Sequence, residues 1–134
     1  MEKIYFGHPI TYYNTPAQSK LIKKIKATFP DFDVENPGSQ IHEENYRRWE
    51  KTLRGGMAYF FIEVLPRMDR GIFLPFEDRM FGAGVFKEMV WLYNEGKKIW
   101  EISHQGLILP IPEPDQSRAL SAKDTRIRVH PSIK

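Results

Sequence analysis

The chain has 134 residues, 41% of them hydrophobic and 28% charged, the make-up of one folded domain and not of a disordered segment. Its 20 Lys and Arg against 17 Asp and Glu leave +3, and that excess lies in residues 115–134, where Arg118, Lys123, Arg126, Arg128 and Lys134 face only Asp115 and Asp124. The rest of the chain is balanced, so a broad phosphate-binding face, and with it a nucleic-acid partner, is not expected; the absence of cysteine excludes a disulfide framework, thiolate metal sites and a cysteine nucleophile.

No apolar run approaches the ~18–20 residues of a membrane span. Met1 to Gly7 runs straight into an apolar segment without the regions of a signal peptide, which predicts a cytoplasmic protein with no membrane attachment.

Ile4-Tyr5-Phe6, stopped by Gly7-His8-Pro9, predicts a buried first strand. Thr15-Pro16 has the form of an N-cap followed by proline at the first helical position. Leu21, Ile22, Ile25 and Phe29 then recur at helical spacing until Pro30. Phe32 and Val34 alternate with acids and predict a second strand, closed by the loop Asn36-Pro37-Gly38-Ser39. Glu43 and Glu44 open a helix whose apolar face is Tyr46, Trp49 and Leu53, and Gly55-Gly56 breaks it. Met57, Phe60, Phe61, Val64 and Leu65 predict a helix ending near Pro66. A strand follows over 71–76, and then a loop over 77–84. Val85, Met89, Val90 and Tyr93 mark a helix that ends at Asn94-Glu95-Gly96. Residues 97–102 and 106–109 read as strands.

Strand and helix alternate, so the predicted fold is a single-domain α/β three-layer sandwich over 1–109 with a mainly parallel central sheet. Residues 110–134, with Pro110, Pro112, Pro114 and Pro131, are expected as an extended basic tail whose middle, 121–128, reads as a short helix or an arm.

In an open α/β sheet, ligands bind beyond the carboxyl ends of the strands. Three segments qualify: Gly7-His8-Pro9-Ile10, Asn36-Pro37-Gly38 and residues 77–88. In the third, Gly82-Ala83-Gly84 leads into a helix that carries Glu88. Glycines allow close backbone approach, a helix N-terminus attracts negative charge, and a carboxylate there is expected to have a low pKa and stay ionised. The same residues also make a plain turn followed by a solvated acid. Asn36 serves equally as a turn residue before Pro37, and Tyr12 and Tyr13 as surface rings or as a lid that stacks on a base.

Taken together, Ile4-Tyr5-Phe6-Gly7-His8-Pro9-Ile10, Glu35-Asn36-Pro37-Gly38, Met68-Asp69, Gly84-Val85-Phe86-Lys87-Glu88 and Gly96-Lys97-Lys98-Ile99 resemble the nucleoside 2-deoxyribosyltransferase-like superfamily over about residues 3–102. The resemblance implies a flavodoxin-like or Rossmann-like fold and cleavage or transfer at the N-glycosidic bond of a nucleoside or nucleotide. It implies Glu88 as the nucleophile, four residues after Gly84, with Asp78 or His8 at the leaving base. Gly7, His8, Pro9, Tyr12, Asn36, Gly82 and Gly84 would contact substrate, and Arg126 or Arg128 of the tail would reach a phosphate in a neighbouring subunit of a homo-oligomer. Val85 stands where the family has threonine, and Gly82 where the transferases place an aspartate. Those departures motivate the alternative, a module on the same fold that binds a nucleotide-like ligand without turnover.

No cofactor or metal is expected. The four histidines are far apart in sequence, no phosphate-loop pattern occurs, and Gly82-Ala83-Gly84 lacks the third glycine of a dinucleotide fingerprint.

Overall fold

Alternation of strand and helix in the sequence becomes a five-stranded sheet in a computed structural model that describes residues 1–130; the expected tail residues Pro131 and Lys134 lie outside them. The strands are β1 (Glu2–Gly7), β2 (Phe32–Glu35), β3 (Arg70–Phe73), β4 (Lys98–Ile102) and β5 (Ile108–Pro110). Their order is β2-β1-β3-β4-β5, parallel except for the β4–β5 pair. Between them run α1 (Pro16–Thr28), α2 (Gln40–Glu50), α3 (Met57–Tyr59) and α4 (Ala83–Asn94), and α5 (Ala122–Val129) follows the sheet.

The pleat explains the two cores. Even-numbered residues of the central strands, Ile4, Phe6, Ile72 and Ile102, pack with Leu21 and Ile25 of α1. Odd-numbered ones, Tyr5, Phe73 and Ile99, pack with Phe86, Met89 and Leu92 of α4 and with the α3 region. Each fully buried apolar side chain contributes about 1.5–3 kcal/mol. The caps act as the sequence predicts: the Gln18 amide donates to the Thr15 hydroxyl at the start of α1, and Gly96 takes φ 75° after α4, a conformation glycine adopts without strain.

Several details differ from expectation. α2 begins at Gln40, because Ser39 is its N-cap, so His42 falls on the buried face with Tyr46 and Trp49 partly covered; Leu53 lies beyond the helix and is fully exposed. The predicted helix from Met57 is α3 followed by a π-helical turn over Phe60–Val64 and a 3-10 turn over Leu65–Arg67. Pro66, with no N–H to donate, sits in that last turn. The expected boundary at 109/110 falls inside β5.

The tail is docked. The Phe81 amide donates to the Arg118 carbonyl (2.7 Å) and the Leu120 amide to the Phe81 carbonyl (2.9 Å). Arg118 forks onto Glu101 with two bonds of 2.7 Å, its guanidinium 4.7 Å from the centre of the Phe81 ring. Among the described residues no helix is long and apolar enough to cross a membrane.

Candidate functional site

A cavity of about 420 Å³ opens beyond the carboxyl ends of β1, β2 and β3, where such sheets bind ligands. Glu88 lies on its floor. It sits in the second turn of α4 and is 6% exposed. The Tyr5 hydroxyl donates to its carboxyl oxygen at 2.6 Å. Gly7 makes room for this arrangement: a Cβ there would meet the Phe73 ring at 2.6 Å and the Glu88 carboxyl at 3.4 Å.

The expected low pKa of Glu88 is overturned. Burial pushes it up to about 8, and the Tyr5 hydrogen bond offsets only part of that. The carboxyl is too deep for the helix terminus to dominate, and the hydration that favours the charge is gone. The Tyr5 phenol is raised in turn, by burial and by the charge on Glu88.

His8 and Pro9 line the cavity. His8 is stacked on Phe6 with its centroid 4.1 Å away. Its Nδ1 donates to the Phe6 carbonyl (2.8 Å), and Nε2 pairs with the Gln18 side-chain amide (2.8 Å). Burial lowers its pKa. Both ring nitrogens are therefore spent, and His8 offers a leaving base no proton.

Asp78 does not line the cavity. It lies in an adjoining surface depression and takes both bonds of the Arg128 guanidinium, at 2.8 and 2.6 Å, which hold its carboxyl below the usual range. The structure thus separates Asp78 from Glu88. Tyr12 belongs to the same depression and leans on His104 (5.3 Å between centroids). Tyr13 enters the cavity instead. A 3-10 turn over Ile10–Tyr12 and a left-handed Asn14 (φ 59°) set this phase. The Tyr13 ring covers Gly38, where a Cβ would come within 2.7 Å of it. Burial and the nearby Glu88 raise its phenol above the normal range.

Asn36 accepts a bond from the Gly38 amide at 2.9 Å, an Asx turn, while Pro37 and Gly38 form the wall. Gly82, the N-cap of α4, and Gly84 in its first turn both line the cavity. The Ala83 amide is already satisfied by the Thr125 hydroxyl of α5 at 2.9 Å. Arg126 is exposed and outside the lining, and the α5 contributions are Thr125 and Val129.

Sequence reading passed over His42. The Tyr59 hydroxyl donates to its Nδ1 (2.6 Å), and its Nε2 donates to Glu35 (3.1 Å). The His42 hydrogen bond, with Lys3 nearby, lowers the Glu35 pKa against the effect of burial. Tyr46 and Phe60 stand beside it in the wall, their ring centres 6.1 Å apart. The signal that could have found His42 is its place four residues before Tyr46 on one helical face.

Among the described residues no group of three or more His, Asp or Glu could hold a metal ion. The site has the means to bind a flat ligand between aromatic rings and to present a carboxyl to it. No family model, curated protein or solved structure matches the chain.

Proposed function

We propose that the protein cleaves or transfers at the N-glycosidic bond of a nucleoside or nucleotide, with Glu88 as the nucleophile. The observation that carries this reading is the Glu88 carboxyl on the floor of an aromatic-walled cavity, held by Tyr5 at 2.6 Å. The sequence resemblance to the nucleoside 2-deoxyribosyltransferase-like superfamily selects the reaction. The strand order, with helices packed on both faces, suits the flavodoxin-like sandwich which that resemblance implies.

In the proposed reaction the Glu88 carboxylate attacks the anomeric carbon, and the C–N bond breaks with its electron pair passing to the base. Water or a second base then takes the sugar. Tyr5 orients the carboxylate. Since Glu88 must ionise first, activity rises with pH up to and through about 8.

The burial of Glu88 also favours a second reading. A carboxyl that stays neutral is a hydrogen-bond donor to a ligand, which suits binding without turnover. Incubation with nucleosides and their 5′-monophosphates, with and without an acceptor base, separates the two readings. Chromatographic release of free base that disappears in Glu88→Gln supports the enzyme; saturable binding with no product in either protein supports the sensing module. A homo-oligomer belongs to the proposal, and sedimentation velocity tests it.

A further inference from the structure

A neutral base leaving a sugar carries a negative charge unless a proton reaches it. The groups that face Glu88 across the cavity are Tyr5 from β1, His8 and Tyr13 after it, and His42, Glu43 and Tyr46 from α2. His8 and His42 have both ring nitrogens engaged. Tyr5, Tyr13 and Tyr46 are phenols whose protons are held more tightly than usual. Glu43, at the rim, is paired with Arg47 at 2.7 Å. Asp78 is outside. Glu88 itself cannot both donate the proton and attack.

The lining is also one-sided in its acidic and basic groups. It contains two carboxyl groups, Glu88 and Glu43, and among the described residues no Lys or Arg. Tyr13, Tyr46 and Phe60 supply the aromatic wall, whereas Phe76 already carries Arg128, 5.1 Å from its ring centre. Aromatic faces beside carboxylates attract cations.

We infer that the cavity takes a nucleoside whose base is a cation, alkylated or quaternary at a ring nitrogen, and which leaves as a neutral base without an acid catalyst. This rests on the N-glycosidic reading of Glu88. The atoms balance: the bond from C1′ to the cationic nitrogen breaks, its electron pair neutralises that nitrogen, and a Glu88 oxygen bonds to C1′. Water then attacks C1′, the bond from C1′ to the Glu88 oxygen breaks with its electron pair returning to the carboxylate, and the proton of the water goes to solvent. The cation serves both halves of the step, because its charge beside the carboxyl favours the ionised form that attacks.

The test uses the full-length chain and nicotinamide riboside, a pyridinium, against its neutral 1,4-dihydro form of nearly the same shape. Calorimetry at pH 7 in two buffers of different ionisation enthalpy gives affinity and proton release together. The pyridinium is expected to bind about tenfold tighter or more, to expel a proton on binding, and to lose its base in wild type but not in Glu88→Gln. Tyr46→Phe keeps the preference for the cation, and Tyr46→Leu weakens it. Equal affinity for the two forms overturns the inference. So does faster base release from guanosine than from 7-methylguanosine, and that result leaves the N-glycosidic reading standing. A preference for the cation with no base released from any nucleoside sinks the N-glycosidic reading and, with it, the cationic leaving group.

Discussion

The two walls of the cavity are built differently. The wall that follows β1 and β2 belongs to the core: His8, Pro9, Pro37, Gly38 and His42 are all buried, and the Tyr13 ring is seated on Gly38. The wall from α5 is laid on afterwards. No residue of that helix is buried, and it is held by one bond from the Ala83 amide to Thr125 and by the exposed Arg128–Asp78 fork. The contrast teaches that one side of the cavity is made of core residues, whereas the other rests on few and mostly exposed polar contacts, the kind of contact that opens locally at lower cost.

The largest effect is expected at the floor between the walls. Glu88→Gln should cut base release by about a thousandfold or more. It should also change the pH dependence of folding. The Glu88 pKa is raised in the folded state from 4.5 to about 8, so its contribution to stability is full below about pH 4.5 and is lost as pH rises through about 8. The glutamine variant lacks that loss, and denaturant titrations from pH 4 to 9 should show it gaining on wild type across this window, by on the order of a few kcal/mol at the alkaline end.

Next comes the fixed wall. In Gly38→Ala the new methyl would overlap the Tyr13 ring, with atoms at 2.7, 2.9 and 3.1 Å. Unfolding curves should register a loss of about 1–3 kcal/mol, and ligand affinity should fall with it. A stable variant that binds normally would show this wall to be as adaptable as α5.

The α5 wall should respond less. Thr125→Val keeps the shape but removes the acceptor of the Ala83 amide, at a cost of about 1 kcal/mol. Hydrogen exchange should quicken at Ala83 and leave β1 unchanged. Smallest of all is Arg128→Ala. Its pair with Asp78 is 33% and 50% exposed, so thermal denaturation should detect a change below about 1 kcal/mol, shrinking further in high salt. A larger loss would mean that α5 is part of the cooperative core.

The same contrast governs what the sequence could reveal. Local patterns decided β1 and α1 with its Thr15-Pro16 cap, because each depends on neighbours within a few residues; α4, by contrast, begins at Ala83, inside the loop expected over 77–84. Burial of Glu88 was not legible: its position after a glycine turn looks like a solvated first-turn acid, and it is enclosed by residues distant in sequence, Tyr5, 83 residues away, and Gly7 among them. The exchange of Tyr12 for Tyr13 depends on one 3-10 turn, which shifts the facing by a residue. Asp78 meets Arg128 across 50 residues, a pairing no spacing rule anticipates. His42 escaped notice because α2 begins before the acids chosen to mark its start.

The edges of the sheet carry a consequence for behaviour at high concentration. β5 ends in Pro110, which has no amide hydrogen to offer a passing strand, and β2 at the opposite edge carries Asp33 and Glu35. Imino and acidic residues at open edges resist strand addition. The sheet thus discourages fibrillar growth at both margins, and crowding should favour contacts through helices and loops over ribbons of shared strands.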